Sequence, residues 1–175
     1  PGHQEIEIGL VKLYRVTVKK KYLDLAKFFL DERGHPHERK LYGEYSQDHK
    51  PVIKQTEPVG HAVRAAYMYS GMTDVAALTG DEGYRKALDT LWNNVVGKKM
   101  YITGGIGSHS GGESFGADYE LPNASAYCET CAAIANAFGV RGRRIEDSSE
   151  VGPAIREAIA ANEPVVLDVR IDGAI

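Results

Sequence analysis

The residue best placed for acid–base chemistry is Glu113, which lies alone in a glycine-rich segment of this 175-residue chain. Six glycines fall between residues 104 and 116, and glycines let the backbone turn tightly and approach a ligand closely. A carboxyl group in a water-poor cleft has a raised pKa, as a general acid requires. The segment lacks the lysine and the Ser/Thr that close a Walker phosphate loop. Glu113 is therefore either a general acid/base or a solvated loop glutamate.

The two cysteines of the chain, Cys128 and Cys131, flank Glu129 near the start of a helix predicted over residues 126–137. They share a helix face, and a helix N-terminus favours the thiolate form of cysteine. Thiolates and a carboxylate suit zinc, but this stretch offers two or three of the four ligands that zinc needs. The alternatives are a redox pair, for which the βαβ context is missing, and a pair of buried small side chains.

Two histidines, His3 and His61, each follow a glycine at the start of a predicted helix. A histidine there either donates to a sugar hydroxyl or caps the helix. The other histidines lie in loops without metal-ligand spacing, and we expect them to be solvated: His35, His37, His49 and His109.

Composition excludes several classes of function. A net charge of −3 and a pI near 6.1 give no electrostatic reason for a nucleic-acid or anionic-membrane partner. No apolar run approaches the roughly 20 residues that span a bilayer, and the first residues lack the features of a signal peptide. Two closely spaced cysteines cannot staple a fold. We expect a cytoplasmic protein without a disulfide framework.

The elements that must position these residues are mainly helical. Helical spacing of apolar residues predicts two hairpins, one from helices over 4–17 and 20–33, the other from helices over 58–79 and 82–97. Gly34 and Gly80 supply stops, and Asp81 caps the last helix. Tandem hairpins predict an α-solenoid or a partial α/α toroid. An ordinary helical bundle agrees with the pattern equally well. The stripes include Ile6, Leu10, Leu13 and Thr17 in the first helix and Tyr22, Leu25, Phe29 and Leu30 in the second.

Outside the hairpins, the pattern is mixed. Residues 35–57 are polar and predict a long loop that is functional or poorly ordered. Met100–Thr103 is a short β-like run. Near the end, residues 147–161 predict an amphipathic helix with Ile155, Ala158 and Ile159 on its apolar face, and residues 165–171 predict a strand. The weak strand at 143–145 is a candidate partner for it, although a lone pair of strands is marginal.

Long collinear strings carry a family resemblance over residues 1–136. They are PGHQEIEIGLVKLYRVT, YLDLAKFFLDERG, YSQDHKPV, VGHAVRAAYMYSGMTDVAALTGD, KKMYITGGIG, GESFGADYELPN and AYCETCAAIAN. Together they closely resemble the central catalytic region of the β-L-arabinofuranosidase glycoside hydrolases, which have an (α/α)6 barrel. The resemblance implies an arabinofuranoside as the carbohydrate partner.

The same resemblance assigns roles to individual residues. It makes Glu113 the general acid/base and places His3 and His61 in the sugar pocket. It makes Glu129 and Cys131 zinc ligands. In this family a zinc-bound cysteine is the nucleophile, in place of the second carboxylate of most retaining glycosidases.

This chain also departs from the family pattern. The family's nucleophilic cysteine comes from a Cys-Cys step downstream, and no cysteine follows Cys131 here. Cys128 matches a variable position. We therefore expect weak zinc binding and little or no turnover. Val18-Lys19 also stands where the family usually has a Gly-Asp turn, so we expect a different first hairpin.

Residues 137–175 carry a second resemblance. The string AFGVRGRRIEDSSEVGPAIREAIAANEPVVLDVRID is similar to the C-terminal helix and strand of thiamine-diphosphate enzymes of the acetolactate synthase type. The cofactor-binding stretch of those enzymes does not occur here, so we expect no thiamine diphosphate. The predicted organisation is a partial glycosidase-like helical domain over 1–136 followed by this helix-strand segment. The alternative to an incomplete glycosidase is a chimeric, truncated or designed chain without activity. Half a toroid leaves apolar helix faces uncovered, so we also expect self-association.

Overall fold

The computed structural model describes residues 2–101, 104–107, 109–122, 141–161 and 165–169. The described part is mainly helical and has one small sheet. Its α-helices are α1 (Ile6–Thr17), α2 (Lys20–Glu32), α3 (Ala62–Thr79), α4 (Glu82–Asn94) and α5 (Val151–Ala161). Its strands are β1 (Arg141–Ile145) and β2 (Val165–Val169). Short 3-10 turns cover Glu44–Ser46, Val52–Lys54 and Ser148–Glu150, and a π-helical turn covers Val95–Lys99. The predicted mainly helical fold with a small helix-strand segment is confirmed.

Both predicted hairpins form. Helix α1 packs on α2 and α3, and α3 packs on α4. Asp81 caps α4, because its carboxylate accepts from the backbone N–H groups of Gly83 and Tyr84 at 3.0 and 3.2 Å. The third helix begins at Ala62 rather than at residue 58, and the fourth ends at Asn94 rather than at residue 97.

The buried face of α1 differs from the predicted stripe. Leu10 is buried as expected, but Ile6 and Leu13 are 49% and 46% exposed. The buried face instead includes Glu7, whose carboxylate oxygen lies 3.8 Å from a guanidinium nitrogen of the equally buried Arg33. The stripe prediction was wrong here because it counts apolar residues, whereas this face buries a charged pair contributed by two distant positions.

Helix α3 lies at the centre of the core. Its buried residues face several directions, which is typical of a helix with neighbours on most sides. They are Ala62, Ala65, Ala66, Met68, Tyr69, Gly71, Met72 and Val75. At Gly71 a Cβ atom would lie 2.9 Å from Cβ of Glu7, so glycine is what lets α1 approach α3 so closely.

The long polar loop over 35–57 is ordered by buried hydrogen bonds. Asp48 is fully buried and accepts from the backbone N–H of Gly34 at 2.7 Å, from that of Tyr42 at 2.9 Å and from both terminal nitrogens of Arg39. Burial alone would raise the pKa of Asp48, but the hydrogen bonds from Arg39, Tyr42 and Gly34 hold that pKa well below its usual range. The loop is therefore an ordered part of the domain.

In the C-terminal segment, the candidate strand pairing is correct. Strands β1 and β2 run parallel, with Arg143 opposite Leu167, and α5 packs on β2. The predicted apolar face of α5 is wrong in part, because Ala154 is buried whereas Ile155 and Ile159 are 45% and 74% exposed. A sheet of two strands is too narrow to cover the wider apolar face of the helix.

Several predictions lie outside the described residues or stay open. The predicted helix over 126–137 lies outside them. Of the β-like run Met100–Thr103, the first two residues are described and form no strand, and the other two are not described. Within the described ranges, no helix has both the length and the apolar character needed to cross a bilayer. Closure into a partial toroid, the domain division at residue 136 and self-association stay predictions.

Candidate active site

The backbone brings His61 and Glu113 together. His61 forms an antiparallel bridge with Ser114, and the N–H of Ala62 donates to the carbonyl of Glu113 at 3.1 Å. The glycine-rich segment is therefore held directly against the first turn of α3. Two of the residues singled out from the sequence thus meet at one place in the fold.

The glycine-rich segment can lie this close because glycines stand at its contact points. At Gly107, with φ +88°, a Cβ would lie 2.7 Å from Cβ of Ala62. At Gly112, with φ +73°, a Cβ would lie 2.9 Å from the ring of Tyr45. The next residue, Glu113, also has a positive φ, +51°, which is uncommon for a residue with a side chain. Such strain is often found where a side chain must be held in one place for function.

The ring of His61 has a defined orientation. Its Nδ1 accepts the backbone N–H of Arg64 at 3.3 Å, which caps α3. Its Nε2 lies 3.5 Å from Oε2 of Glu113. Because a neutral imidazole carries one proton and Nδ1 is an acceptor, the proton is on Nε2, the nitrogen that lies near the carboxylate. The sequence left open whether His61 caps a helix or donates to a sugar hydroxyl. Its Nδ1 caps α3, and its role toward a sugar stays a prediction.

His3 lies in the same cluster. Its ring makes an edge contact with Tyr67, with centroids 5.6 Å apart, and Tyr45 makes a similar contact with His61 at 5.5 Å. The guanidinium of Arg64 lies over the Tyr45 ring, 5.4 Å from its centroid. The cluster thus offers imidazole, carboxylate, phenol and guanidinium groups, which are the hydrogen-bonding groups that sugar hydroxyls need.

Burial and charge act together on the two histidines. Burial lowers the pKa of His61, the Glu113 carboxylate raises it in part, and Arg64 and His3 lower it again. Burial also lowers the pKa of His3, and the charge of Arg64 adds to that shift. Both rings are therefore neutral at neutral pH and can donate or accept hydrogen bonds without carrying charge.

A cleft of about 490 Å³ adjoins the cluster. Its walls include Tyr45, Ser114, Glu44, Glu57 and Gly60. Glu57 is held by the buried ammonium of Lys99, whose Nζ lies 2.9 Å from its carboxylate and 2.7 Å from the carbonyl of Gly116. This side of the site therefore has a fixed wall rich in oxygen atoms.

Sequence reasoning missed Tyr45 and Arg64. Both were visible in the strings that carry the resemblance, YSQDHKPV and VGHAVRAAYMYSGMTDVAALTGD, but nothing in their local pattern marks them. His49 was expected to be solvated, and it is instead half-buried, with a pKa lowered by burial.

The predicted zinc ligands cannot be placed. Glu129, Cys131 and the neighbouring Cys128 lie outside the described residues. Among the residues that are described, no group of three or more His, Cys, Asp or Glu side chains is arranged to hold a metal. The zinc site stays a prediction.

Comparison with known proteins gives a consistent family. A family model described as beta-L-arabinofuranosidase, GH127 catalytic domain, matches residues 1–141. The non-reducing end beta-L-arabinofuranosidase of Bifidobacterium longum subsp. longum is 40% identical over an alignment 152 residues long, and the match covers 77% of this chain and 23% of that protein.

Two solved structures are also similar. A GH127 beta-arabinofuranosidase is 66% identical, with a TM-score of 0.70, and the match covers 78% of this chain and 21% of that one. A GH127 beta-L-arabinofuranosidase from Geobacillus stearothermophilus T6 is 47% identical, with a TM-score of 0.68, and the match covers 77% and 24%.

The chain spans about a quarter of the length of these relatives. The match nevertheless covers most of this chain and includes the residues of the described site. The expected resemblance of the first 136 residues is thus confirmed at the level of the family. This chain belongs to the beta-L-arabinofuranosidase GH127 catalytic domains.

Proposed function

We propose that this chain forms one wall of the sugar pocket of a retaining β-L-arabinofuranosidase, with Glu113 as its general acid/base. The observation that carries the proposal is the contact between Nε2 of His61 and Oε2 of Glu113 at 3.5 Å. It joins a carboxyl group to a hydrogen-bond donor in a cluster that also contains His3. Membership of the family supports an arabinofuranoside as the substrate.

Glu113 would act twice in such a reaction. As an acid, it would give its proton to the glycosidic oxygen while the bond from that oxygen to the anomeric carbon breaks and the nucleophile forms a bond to the same carbon. As a base, the resulting carboxylate would take a proton from the water that attacks the anomeric carbon in the second step, when the bond to the nucleophile breaks. His61 would hold the carboxyl group in one orientation, because its Nε2 lies 3.5 Å from Oε2 and its Nδ1 is fixed by the cap.

Zinc fits the donor chemistry of this chain in part. The thiolate of Cys131 and the carboxylate of Glu129 are suitable ligands, but a zinc site with protein ligands needs three or four. Zinc held there would keep neighbouring sulfur atoms as thiolates at neutral pH. The remaining ligands, and the sulfur that attacks the sugar, would have to come from outside these 175 residues.

This division of the site predicts binding without efficient turnover. Glu113, His61 and His3 would contact the sugar, but no cysteine after Cys131 is available as the nucleophile. We therefore expect this chain to bind an arabinofuranoside weakly and to hydrolyse it slowly or not at all. The second candidate is a chimeric, truncated or designed chain with no function of its own, and the family match, which ends at residue 141, favours it.

A sugar titration separates the two candidates. Methyl β-L-arabinofuranoside, followed by NMR, should shift the ring signals of His3 and His61, and methyl α-D-glucopyranoside should not. Glu113→Gln should weaken the response, whereas Glu120→Gln, at an exposed position just beyond the glycine-rich segment, should not. No response to either sugar would refute the proposed pocket. A second assay uses p-nitrophenyl β-L-arabinofuranoside as the substrate. Release of p-nitrophenol at rates typical of glycosidases would refute the expected inactivity.

Metal analysis tests the zinc proposal separately. We expect purified protein to carry zinc below one equivalent, and Cys131→Ser or Glu129→Gln to reduce that content. Cys128→Ser is the matched control, since it removes a sulfur only three residues away in the sequence, at a position where the family pattern varies. If Cys128→Ser removes zinc and Cys131→Ser does not, the assignment of ligands is wrong.

Self-association is tested by light scattering. Leu13, Val16 and Phe28 expose 46%, 83% and 53% of their surface on the first hairpin, and such apolar faces favour association. We expect the average mass to rise with protein concentration. A monomer at all concentrations would refute this expectation.

A further inference from the structure

A single buried amide, that of Gln47, joins the two segments that carry the histidines. Gln47 is fully buried and has a left-handed backbone, with φ +53°. Its Nε2 donates to the carbonyl of Val59 at 2.8 Å and to that of His61 at 3.2 Å. Its side chain therefore holds the turn that leads into α3.

The other end of the same amide holds the segment of His3. Oε1 of Gln47 accepts from Nε2 of Gln4, the residue next to His3. Gln4 is itself fully buried, and its Nε2 also donates to the carbonyl of Ser46 at 2.7 Å. Its Oε1 accepts from Arg64 at 3.4 Å. The start of α1 and the start of α3 are thus connected through one glutamine side chain.

Neither a carboxylate nor an ammonium group in place of this amide could make the connection. The connecting group must donate to carbonyl oxygens at one end and accept from an amide N–H at the other, and a carboxylate has no donor whereas an ammonium has no acceptor. Because the side chain is fully buried, water cannot replace a lost partner, and each unpaired polar group would be costly.

We propose that Gln47 is a positioning residue, which fixes His3 and His61 relative to each other at the pocket. The proposal rests on the proposed function for what the two histidines bind, but the positioning itself is independent of any sugar. It assigns a role to Gln47, a residue of the long loop over 35–57. The Gln47 side chain itself makes no described contact with either histidine ring.

The test compares Gln47→Met with Gln55→Met. Gln55 is an equally buried glutamine of the same loop, and its Nε2 donates to the carbonyls of Gln47 and Lys50 at 2.9 and 3.0 Å. Both variants should lose stability, because both leave buried carbonyls unpaired. Only Gln47→Met should change the proton NMR signals of the two histidine rings, whose edge contacts with Tyr45 and Tyr67 impose ring-current shifts.

A third variant covers the case in which Gln47→Met does not fold. Gln4→Met removes one end of the connection only, so the His3 ring signals should lose their ring-current shift while those of His61 stay in place. If neither histidine responds in Gln47→Met, or in Gln4→Met where the first variant is unfolded, the positioning role is refuted. A change of the same size in Gln55→Met would also refute it, since any damage to the loop would then suffice.

The outcome also stands apart from that of the proposed function. If the histidine signals move as expected but wild-type protein gives no response to methyl β-L-arabinofuranoside, Gln47 positions the histidines and the sugar pocket is wrong. If the sugar binds and Gln47→Met leaves both histidine signals unchanged, the pocket stands and the positioning role fails.

Discussion

Nε2 of His61 lies 3.5 Å from Oε2 of Glu113, while Nδ1 of the same ring accepts the backbone N–H of Arg64. The helix cap fixes the tautomer, and the ring's only proton is on Nε2, the nitrogen near the carboxylate. A contact of this kind couples the titration of the ring to the charge of its neighbour. The charge of Glu113 therefore acts on the pKa of His61, although the two residues lie far apart in the sequence.

The first prediction follows from this coupling. Glu113→Gln should lower the pKa of His61 further below its usual value, because the carboxylate is what offsets part of the effect of burial. Titration of the ring signals by NMR measures the change. Glu120→Gln is the control, since Glu120 lies just beyond the glycine-rich segment and its Oε1 lies 3.9 Å from Nε2 of His109 instead. A rise in the His61 pKa on Glu113→Gln would contradict the contact.

The second prediction concerns the glycine before His61. Gly60 has φ +69°, and a Cβ there would lie 1.9 Å from the carbonyl oxygen of Glu44. Gly80 has nearly the same φ, +72°, but open space around it. Gly80→Ala should lower the free energy of unfolding by about 1 kcal/mol, the strain of a left-handed alanine. Gly60→Ala should lower it by about 3 kcal/mol or more, because the backbone must also move.

Urea denaturation measures both variants. Gly60→Ala should also displace the ring signals of His61, because the turn at residue 60 places that ring. Equal losses of stability in the two variants would show that backbone strain alone matters and that the close approach to Glu44 does not.

The helices were predictable because their information is local. Apolar spacing, the stop at Gly80 and the cap at Asp81 all act within a few residues, and all three are found in the structure. The buried face of α1 was not predictable in the same way. Whether Ile6 or Glu7 turns inward depends on Arg33, and no local pattern shows that pairing.

The candidate site was also predictable only where its information is local. Glu113 and His61 could be singled out, since a lone carboxyl among glycines and a histidine at a helix start are visible in the sequence. Their contact could not be, because it depends on the bridge between the glycine-rich segment and residue 61. Gln47 gave no local indication either, since its partners lie at residues 4, 59 and 61.

The third prediction concerns the buried carboxylate of Asp48. Its folded pKa lies below that of the unfolded chain, about 3.9, because hydrogen bonds from Arg39, Tyr42 and Gly34 outweigh burial. The stabilisation is therefore fully present above pH 4 and is lost as the pH falls below it. Asp48→Asn should lower the free energy of unfolding by roughly 2–3 kcal/mol at pH 7, and this difference should narrow below pH 4.

Unfolding in urea at a series of pH values checks this prediction. Asp24→Asn is the control, because Asp24 lies in an exposed pair with Lys20 on α2, and such pairs contribute about 0.5 kcal/mol or less. A difference for Asp48→Asn that widens as the pH falls would have the wrong sign and would exclude a depressed pKa.

The last prediction concerns the turn between α1 and α2. Val18 ends α1 in the left-handed conformation, with φ +56°, where a β-branched residue is strained by roughly 1–2 kcal/mol. The hairpin therefore keeps the backbone that a glycine would favour, although the sequence has valine there. Since Val18 is 77% exposed, Val18→Gly loses little buried surface and should raise the free energy of unfolding by about 1 kcal/mol, after the entropy of glycine is subtracted.

Val16→Gly provides a control of opposite sign. Val16 is 83% exposed but lies within α1, where glycine is a poorer helix former than valine, so the free energy of unfolding should fall by about 0.5 kcal/mol. Urea midpoints of the two variants should thus lie on either side of the wild-type value. If both midpoints fall below the wild-type value, Val18 is not strained, and Val18→Gly changes the hairpin in another way. If Val18→Gly alone raises the urea midpoint, Val18 strains the first hairpin, and the hairpin folds without that strain.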